Sequence, residues 1–184
     1  MVLKGQQPQK LPDDRWNNLH EWFKNNAKAK EAEVLFLGGD HIALLEQSNY
    51  FIENLAPLHC LCFGSIGDTA ANLLWRIENG ETDIITPKVI VVSIGESDFN
   101  MSPNEMLDSL LTIATALREK QPSAVIYFLD KASVIDIDST VIDTNGEIDV
   151  VDFFDFIHLS QEGYKKVFEV VLVAINAVLS PAES

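Results

Sequence analysis

The sequence is short of basic residues. Thirteen lysines and arginines stand against 28 aspartates and glutamates, for a formal net charge of −15 over 184 residues. Nucleic acid and anionic membrane surfaces repel such a chain, so neither is an expected partner, whereas a basic protein face is compatible with it. Cysteine is nearly absent. Cys60 and Cys62 flank Leu61 in an apolar run, where side chains two apart share one strand face. A C-x-C pair is too short to define a metal site; it reads as two small core residues in a reducing compartment. No run reaches the roughly 18 apolar residues of a membrane span, and the longest candidate, Val167–Leu179, is interrupted by Glu169 and Asn176. The opening Met1-Val2-Leu3-Lys4-Gly5-Gln6-Gln7-Pro8 has no apolar segment of the kind a secretory signal needs. The expectation is a cytoplasmic protein without membrane insertion. Hydrophobic residues make up 47%, enough for a packed core, and the length suits one domain.

Hydrophobic patterning predicts alternating strands and helices. Residues 1–12 read as a flexible arm, 13–180 as a single domain and 181–184 as a tail. A helix opens at Asp13 or Asp14 and carries Trp16, Leu19, His20 and Phe23 at helical spacing. Val34–Leu37, Cys60–Phe63, Val89–Ile94 and Val125–Leu129 are short and wholly apolar, as strands buried on both faces are. Between them lie predicted helices over Ile42–Leu55, over Thr69–Asn79 with Gly80 as its stop, and from Ser102 and Pro103, as N-cap and first residue, to Lys120. A last helix follows Ser160, with Val167, Val170, Val171 and Ala174 on one face. The order predicts a parallel sheet covered by helices on both sides.

One stretch breaks the pattern. Only Asp130, Lys131, Ala132 and Ser133 separate Leu129 from Val134. Parallel neighbours need a crossover of about a dozen residues or more. Either Val134–Ile137 is an irregular or antiparallel edge, or a crossover helix after the fourth strand is missing. The aspartate-rich segment Asp136–Asp155 reads as a solvated loop.

In an open α/β sheet, sites form at the carboxyl ends of the strands. Those ends are Gly38-Gly39-Asp40-His41, Gly64-Ser65-Ile66-Gly67-Asp68 and Gly95-Glu96-Ser97-Asp98. A fourth block, Asp155-Phe156-Ile157-His158, precedes the last helix. Its Asp-x-x-His spacing can set a carboxylate beside an imidazole, as a general base and its orienting group require. Taken alone, glycine-ended strands are equally ordinary turn chemistry. His20 reads as a packed side chain, His59 as structural or interfacial, and Trp16, Trp22 and Trp75 as core or interface anchors.

At these four blocks the chain resembles the SGNH (GDSL-type) hydrolases. It is similar above all to the catalytic alpha subunits of intracellular platelet-activating factor acetylhydrolase Ib. The resemblance runs from Asp13-Asp14-Arg15-Trp16 to about Leu179. It passes through Glu33-Val34-Leu35-Phe36-Leu37-Gly38, Ala56-Pro57-Leu58-His59, Leu74-Trp75-Arg76-Ile77-Glu78-Asn79-Gly80, Pro87-Lys88-Val89-Ile90-Val91-Val92 and Phe154-Asp155-Phe156-Ile157-His158-Leu159. It implies a three-layer α/β/α, flavodoxin-like fold. The family's Gly-Asp-Ser nucleophile block falls on Gly38-Gly39-Asp40 without a gap, and on Gly39-Asp40-His41 if one residue is inserted. Ungapped spacing to Gly67 favours Asp40, and neither alignment leaves a serine at the nucleophile position. The oxyanion-hole glycine matches Gly67; the oxyanion-hole asparagine matches Ser97 and is lost. The acid and base match Asp155 and His158, both retained.

The resemblance therefore implies a pseudoenzyme that dimerises, with itself or with another alpha subunit, and docks a WD-repeat lissencephaly-1-type β-propeller. No cofactor or metal is implied. The alternative is a working serine-independent or weak esterase that removes a short acyl group such as acetate from a phospholipid. With Asp40 at the serine position, His158 is expected between two carboxylates, Asp40 and Asp155, and its pKa is expected to rise.

Overall fold

The computed structural model of the chain describes residues 7–29, 31–129, 151–155 and 158–180. The short connection after Leu129, the segment Val134–Ile137, most of the aspartate-rich stretch and both extreme ends lie outside the described residues. Four strands, β1 (Val34–Gly38), β2 (Cys60–Gly64), β3 (Val89–Ser93) and β4 (Val125–Phe128), form one sheet in the order β2-β1-β3-β4. All three pairings are parallel; Val34 aligns with Cys60 on one side and Val89 on the other. β1 and β3 are buried along their whole length, which is why they read as unbroken apolar runs.

Alternate strand residues feed two separate cores. Leu35, Leu37, Leu61, Phe63, Ile90 and Val92 pack with α1 (Asp14–Ala29), α3 (Ala70–Arg76) and α4 (Pro103–Lys120). Val34, Phe36, Cys62, Val89 and Val91 pack on the other face with α2 (Asp40–Leu45), the turn Phe51–Leu55 and α5 (Gln161–Leu179). The result is three layers, α/β/α. Cys60 and Cys62 lie on the second face without a disulfide, Cys62 buried and Cys60 half-buried, with burial pushing the Cys60 thiol up to about 12.

Three helix starts follow their sequence signals. Ser102 and Glu105 form a reciprocal capping box ahead of Pro103, Thr69 and Asn72 form another, and the Ser160 hydroxyl accepts from the Gly163 N–H. Two expectations fail. Ile42–Leu55 is not one helix. The Ser48 hydroxyl donates to the Leu45 carbonyl and accepts from the Phe51 N–H, ending one helical segment and starting the next. Val170 is 39% exposed; the buried face of α5 is Tyr164, Val167, Phe168, Val171 and Ile175, an i, i+3, i+4, i+7, i+11 stripe from which Val170 is rotated away. Before α1, Gln9 is tied to α3 through its N–H to the Ala71 carbonyl and its carbonyl to the Asn72 amide.

Candidate active site

The four blocks converge at the carboxyl end of the sheet. Asp40 stands one residue beyond β1, after Gly39, as the first residue of α2 and is buried, at 8% exposure. Gly67 lies in the loop after β2 at φ +82, a conformation that favours glycine, and its N–H donates to Asp40 Oδ1 at 2.7 Å. The other carboxylate oxygen, Oδ2, lies 3.1 Å from His158 Nε2.

His158 is held from behind. Its Nδ1 lies 2.6 Å from Asp155 Oδ2, and its backbone N–H donates to Asp155 Oδ1 at 2.8 Å. The surrounding loop is pinned by an antiparallel bridge between Phe153 and Leu159 and by the Ser160 N–H bonded to the Asp152 carbonyl. That carbonyl presses on the first turn of α5: a side chain at Gly163 would place its Cβ 2.1 Å from it, so only glycine fits. The Phe154 ring stacks on the imidazole, with centroids 5.4 Å apart. The Asp155 hydrogen bond, aided by Asp40, raises the His158 pKa above its ordinary value, against a smaller opposing effect of burial.

The structure thus brings Asp40, Gly67, Asp155 and His158 together. Ser97 sits half-buried in the turn after β3, where the Asp98 N–H bonds to the Gly95 carbonyl. Among the described residues no hydrogen bond joins Ser97 to Asp40 or His158. His41 turns elsewhere: its Nδ1 meets Glu96 Oε1 at 2.9 Å, and its carbonyl accepts from the Tyr164 hydroxyl at 2.8 Å. Burial alone would raise the Glu96 pKa, but the His41 ring bond and charge outweigh it and hold the carboxyl below its ordinary value. Glu96 Oε2 would lie 3.0 Å from a Cβ at Gly39, so the glutamate fills space that a side chain at 39 would need. The sequence reading passed over Glu96; its only signal was a carboxylate at a strand end.

Beneath the site lies a second cluster that the sequence reading also missed. Arg76, 1% exposed, donates to Asp68 Oδ2 at 2.8 Å, to Glu81 Oε2 at 2.6 Å, and to the carbonyls of Phe63 and Gly38 at the ends of β2 and β1. Trp16 Nε1–H donates to Asp68 Oδ1 at 2.7 Å, and His20 Nδ1 lies 3.0 Å from Glu81 Oε1. His20 is packed, as expected, and stacks on Trp16. Trp16 is buried and Trp75 half-buried, while Trp22 is 52% exposed. His59 is exposed at φ +52 before β2. Among the described residues no three or more His, Cys, Asp and Glu are placed to hold a metal ion, and no helix is long and apolar enough to cross a membrane.

No protein-family model matches the chain. Solved structures that share its fold include a provisionally assigned platelet activating factor from Streptococcus pneumonia and a GDSL-like lipase from Bacteroides thetaiotaomicron. The first has a TM-score of 0.74 at 15% identity, covering 87% of this chain and 92% of the other. The second has a TM-score of 0.66 at 12% identity, covering 85% and 97%. Among curated relatives, the platelet-activating factor acetylhydrolase IB subunit beta homolog of Drosophila melanogaster is 28% identical over 99% of this chain and 94% of its own. The rat platelet-activating factor acetylhydrolase IB subunit alpha2 is 32% identical over 84% of this chain and 81% of its own. On that likeness, carried by a parallel sheet with an imidazole–carboxylate pair at its carboxyl end, the chain belongs to the platelet-activating factor acetylhydrolase IB subunit family.

Proposed function

We propose that this chain is a member of its family that is silent toward esters and works by binding. The observation that carries the reading is the double engagement of Asp40, with one oxygen on the Gly67 N–H and the other on His158 Nε2. In the aligned family pattern those two groups serve a serine and the oxyanion of its ester adduct. A carboxylate there brings negative charge to the place where the oxyanion must form, and it offers His158 no proton to remove. Removing a triad nucleophile costs on the order of 10⁶ in rate, and one lost oxyanion donor about 10²–10³.

The binding role is pairing, with a second copy or an active alpha subunit, and docking on a WD-repeat lissencephaly-1-type β-propeller. The relatives are named as subunits, which supports association. Exposed apolar side chains on three helices, Trp22, Leu111 and Val173, offer contact area, and the net charge of −15 suits a basic partner face. The first test is hydrolysis of a short-chain acetyl ester by the purified chain beside its His158→Ala variant. Equal background rates are expected. A rate that falls with the substitution overturns the reading and favours the weak esterase. Light scattering and capture by the β-propeller protein then test the binding role directly.

A further inference from the structure

The placement of Asp40 is wrong for an ester but right for a different electrophile. We propose that Asp40 is a nucleophile toward saturated carbon, and that the site hydrolyses small alkyl halides through an alkyl ester on Asp40. The inference rests on Asp40 holding the nucleophile position, and not on the binding role.

The chemistry separates the two electrophiles. A carboxylate attacking an ester gives a mixed anhydride through an oxyanion that its own charge opposes. The same carboxylate displacing halide from a saturated carbon passes through no oxyanion, and its product is an ordinary ester. In the displacement, Asp40 Oδ2 forms the bond to carbon, the carbon–halogen bond breaks, and halide leaves with the electron pair. Oδ1 becomes the ester carbonyl oxygen. It already lies 2.7 Å from the Gly67 nitrogen, so a donor stands where negative charge develops in the next step.

The second step is served by the retained pair. Esterification neutralises one of the two carboxylates bonded to the ring, which disfavours the imidazolium; His158 gives that proton to solvent and becomes a base. Asp155 fixes Nδ1 at 2.6 Å, leaving Nε2, 3.1 Å from Asp40 Oδ2, as the working nitrogen. His158 takes a proton from a water whose oxygen attacks the Asp40 carboxyl carbon. The tetrahedral adduct collapses with cleavage of the bond from Oδ2 to carbonyl carbon, and the alcohol leaves with the proton from His158. The regenerated carboxylic acid gives its proton to His158, which restores the starting pair. In sum, alkyl halide and water give alcohol, halide and a proton. Two exposed apolar side chains belong to the same loops: Ile66, 64% exposed, precedes Gly67 in the chain, and Phe154, 66% exposed, stacks on the His158 ring.

The test uses 1-bromobutane and the full chain in oxygen-18-labelled water. Bromide release is expected, with the first-turnover label in the Asp40 peptide rather than in butanol, because the attacked carbon belongs to Asp40. Asp40→Asn should reduce release to the buffer rate. His158→Gln should slow turnover by about 10²–10⁴-fold while a butyl ester builds up on the Asp40 peptide. Should that variant fail to fold, the label in the unsubstituted protein decides. Release no faster than from Asp40→Asn, first-turnover label in the butanol, or butylation on Cys60 instead of Asp40 would each overturn the proposal. The acetyl-ester assay on the same preparation keeps the two readings apart. An ester rate dependent on His158 removes the silent-subunit reading, while bromide and label alone judge this one.

Discussion

Two charge clusters lie at the carboxyl end of the same sheet, and they are built in opposite ways. Around Arg76, every charge is buried: Asp68 and Glu81 have no side-chain exposure, and the guanidinium also ties down the carbonyls that end β1 and β2. Around His158, only Asp40 is buried and the other two groups open to solvent. Asp155 is 43% exposed and the imidazole 23%. The first cluster is a clamp that cannot lose a member without stranding a charge. The second is a chain of three groups bonded in sequence, whose middle member can change protonation. The serine and asparagine expected from the family pattern are missing from the open cluster only. The platform beneath it keeps a complete set of partners, so the fold persists while the chemistry on top of it is free to change.

The largest effect should come from cutting the clamp. Arg76→Met leaves Asp68 and Glu81 buried without their cation and should cost about 3–5 kcal/mol, read as a lower denaturation midpoint. A loss below about 1 kcal/mol would erase the contrast between the clusters, since that is the scale of an exposed pair.

Next comes repair of the open cluster. Asp40→Ser supplies a hydroxyl between His158 and the Gly67 N–H and should create acetyl-ester hydrolysis that depends on His158. Adding Ser97→Asn should raise kcat/KM by a further factor of about 10²–10³. Ser97→Asn alone should do nothing. A double variant no better than the single one would show that the turn after β3 no longer points at the site.

The smallest effect is the titration of His158. Its folded pKa lies above the ordinary value, so the stabilisation it provides is complete below about 6.5 and is lost as pH rises through the raised value. An NMR titration should place it above the ordinary value. Asp155→Asn should bring it down more than Asp40→Asn, because the Asp155 bond is the stronger influence. An unshifted imidazole would break the picture of a bonded chain.

Much of this was readable in the residues. Continuous apolar runs located the strands because both faces of each are covered, and serine or threonine ahead of a helix located its start because those hydroxyls cap free N–H groups. What escaped was set by side-chain contacts that hydrophobic spacing does not encode. The alignment left Asp40 and His41 open, since one residue at a strand–helix junction decides which side chain turns inward. The fold sends Asp40 to His158 and His41 to Glu96. Arg76 did leave a signal. It sits three residues after Leu73 on an inward helical face, where a lone cation must find buried anions, but those anions flank the helix, Asp68 in the loop before it and Glu81 at the end of the helical turn after it. The single helix expected over Ile42–Leu55 failed on one hydroxyl, that of Ser48, which serves two helical segments at once.

The tryptophan arrangement turns the clamp into an optical probe. Trp16 and Trp75 have ring centroids 5.3 Å apart with planes tilted by 49°, close enough for their transitions to couple, and Trp16 donates its indole N–H to Asp68. Trp22 stands apart from that pair, half in solvent on the same helix as Trp16. Near-ultraviolet dichroism therefore reports on the packing of α1 against α3, while the red edge of the emission reports on Trp22 and on whatever comes to cover it. One unlabelled sample can follow loosening of the platform and arrival of a partner as two separate colours.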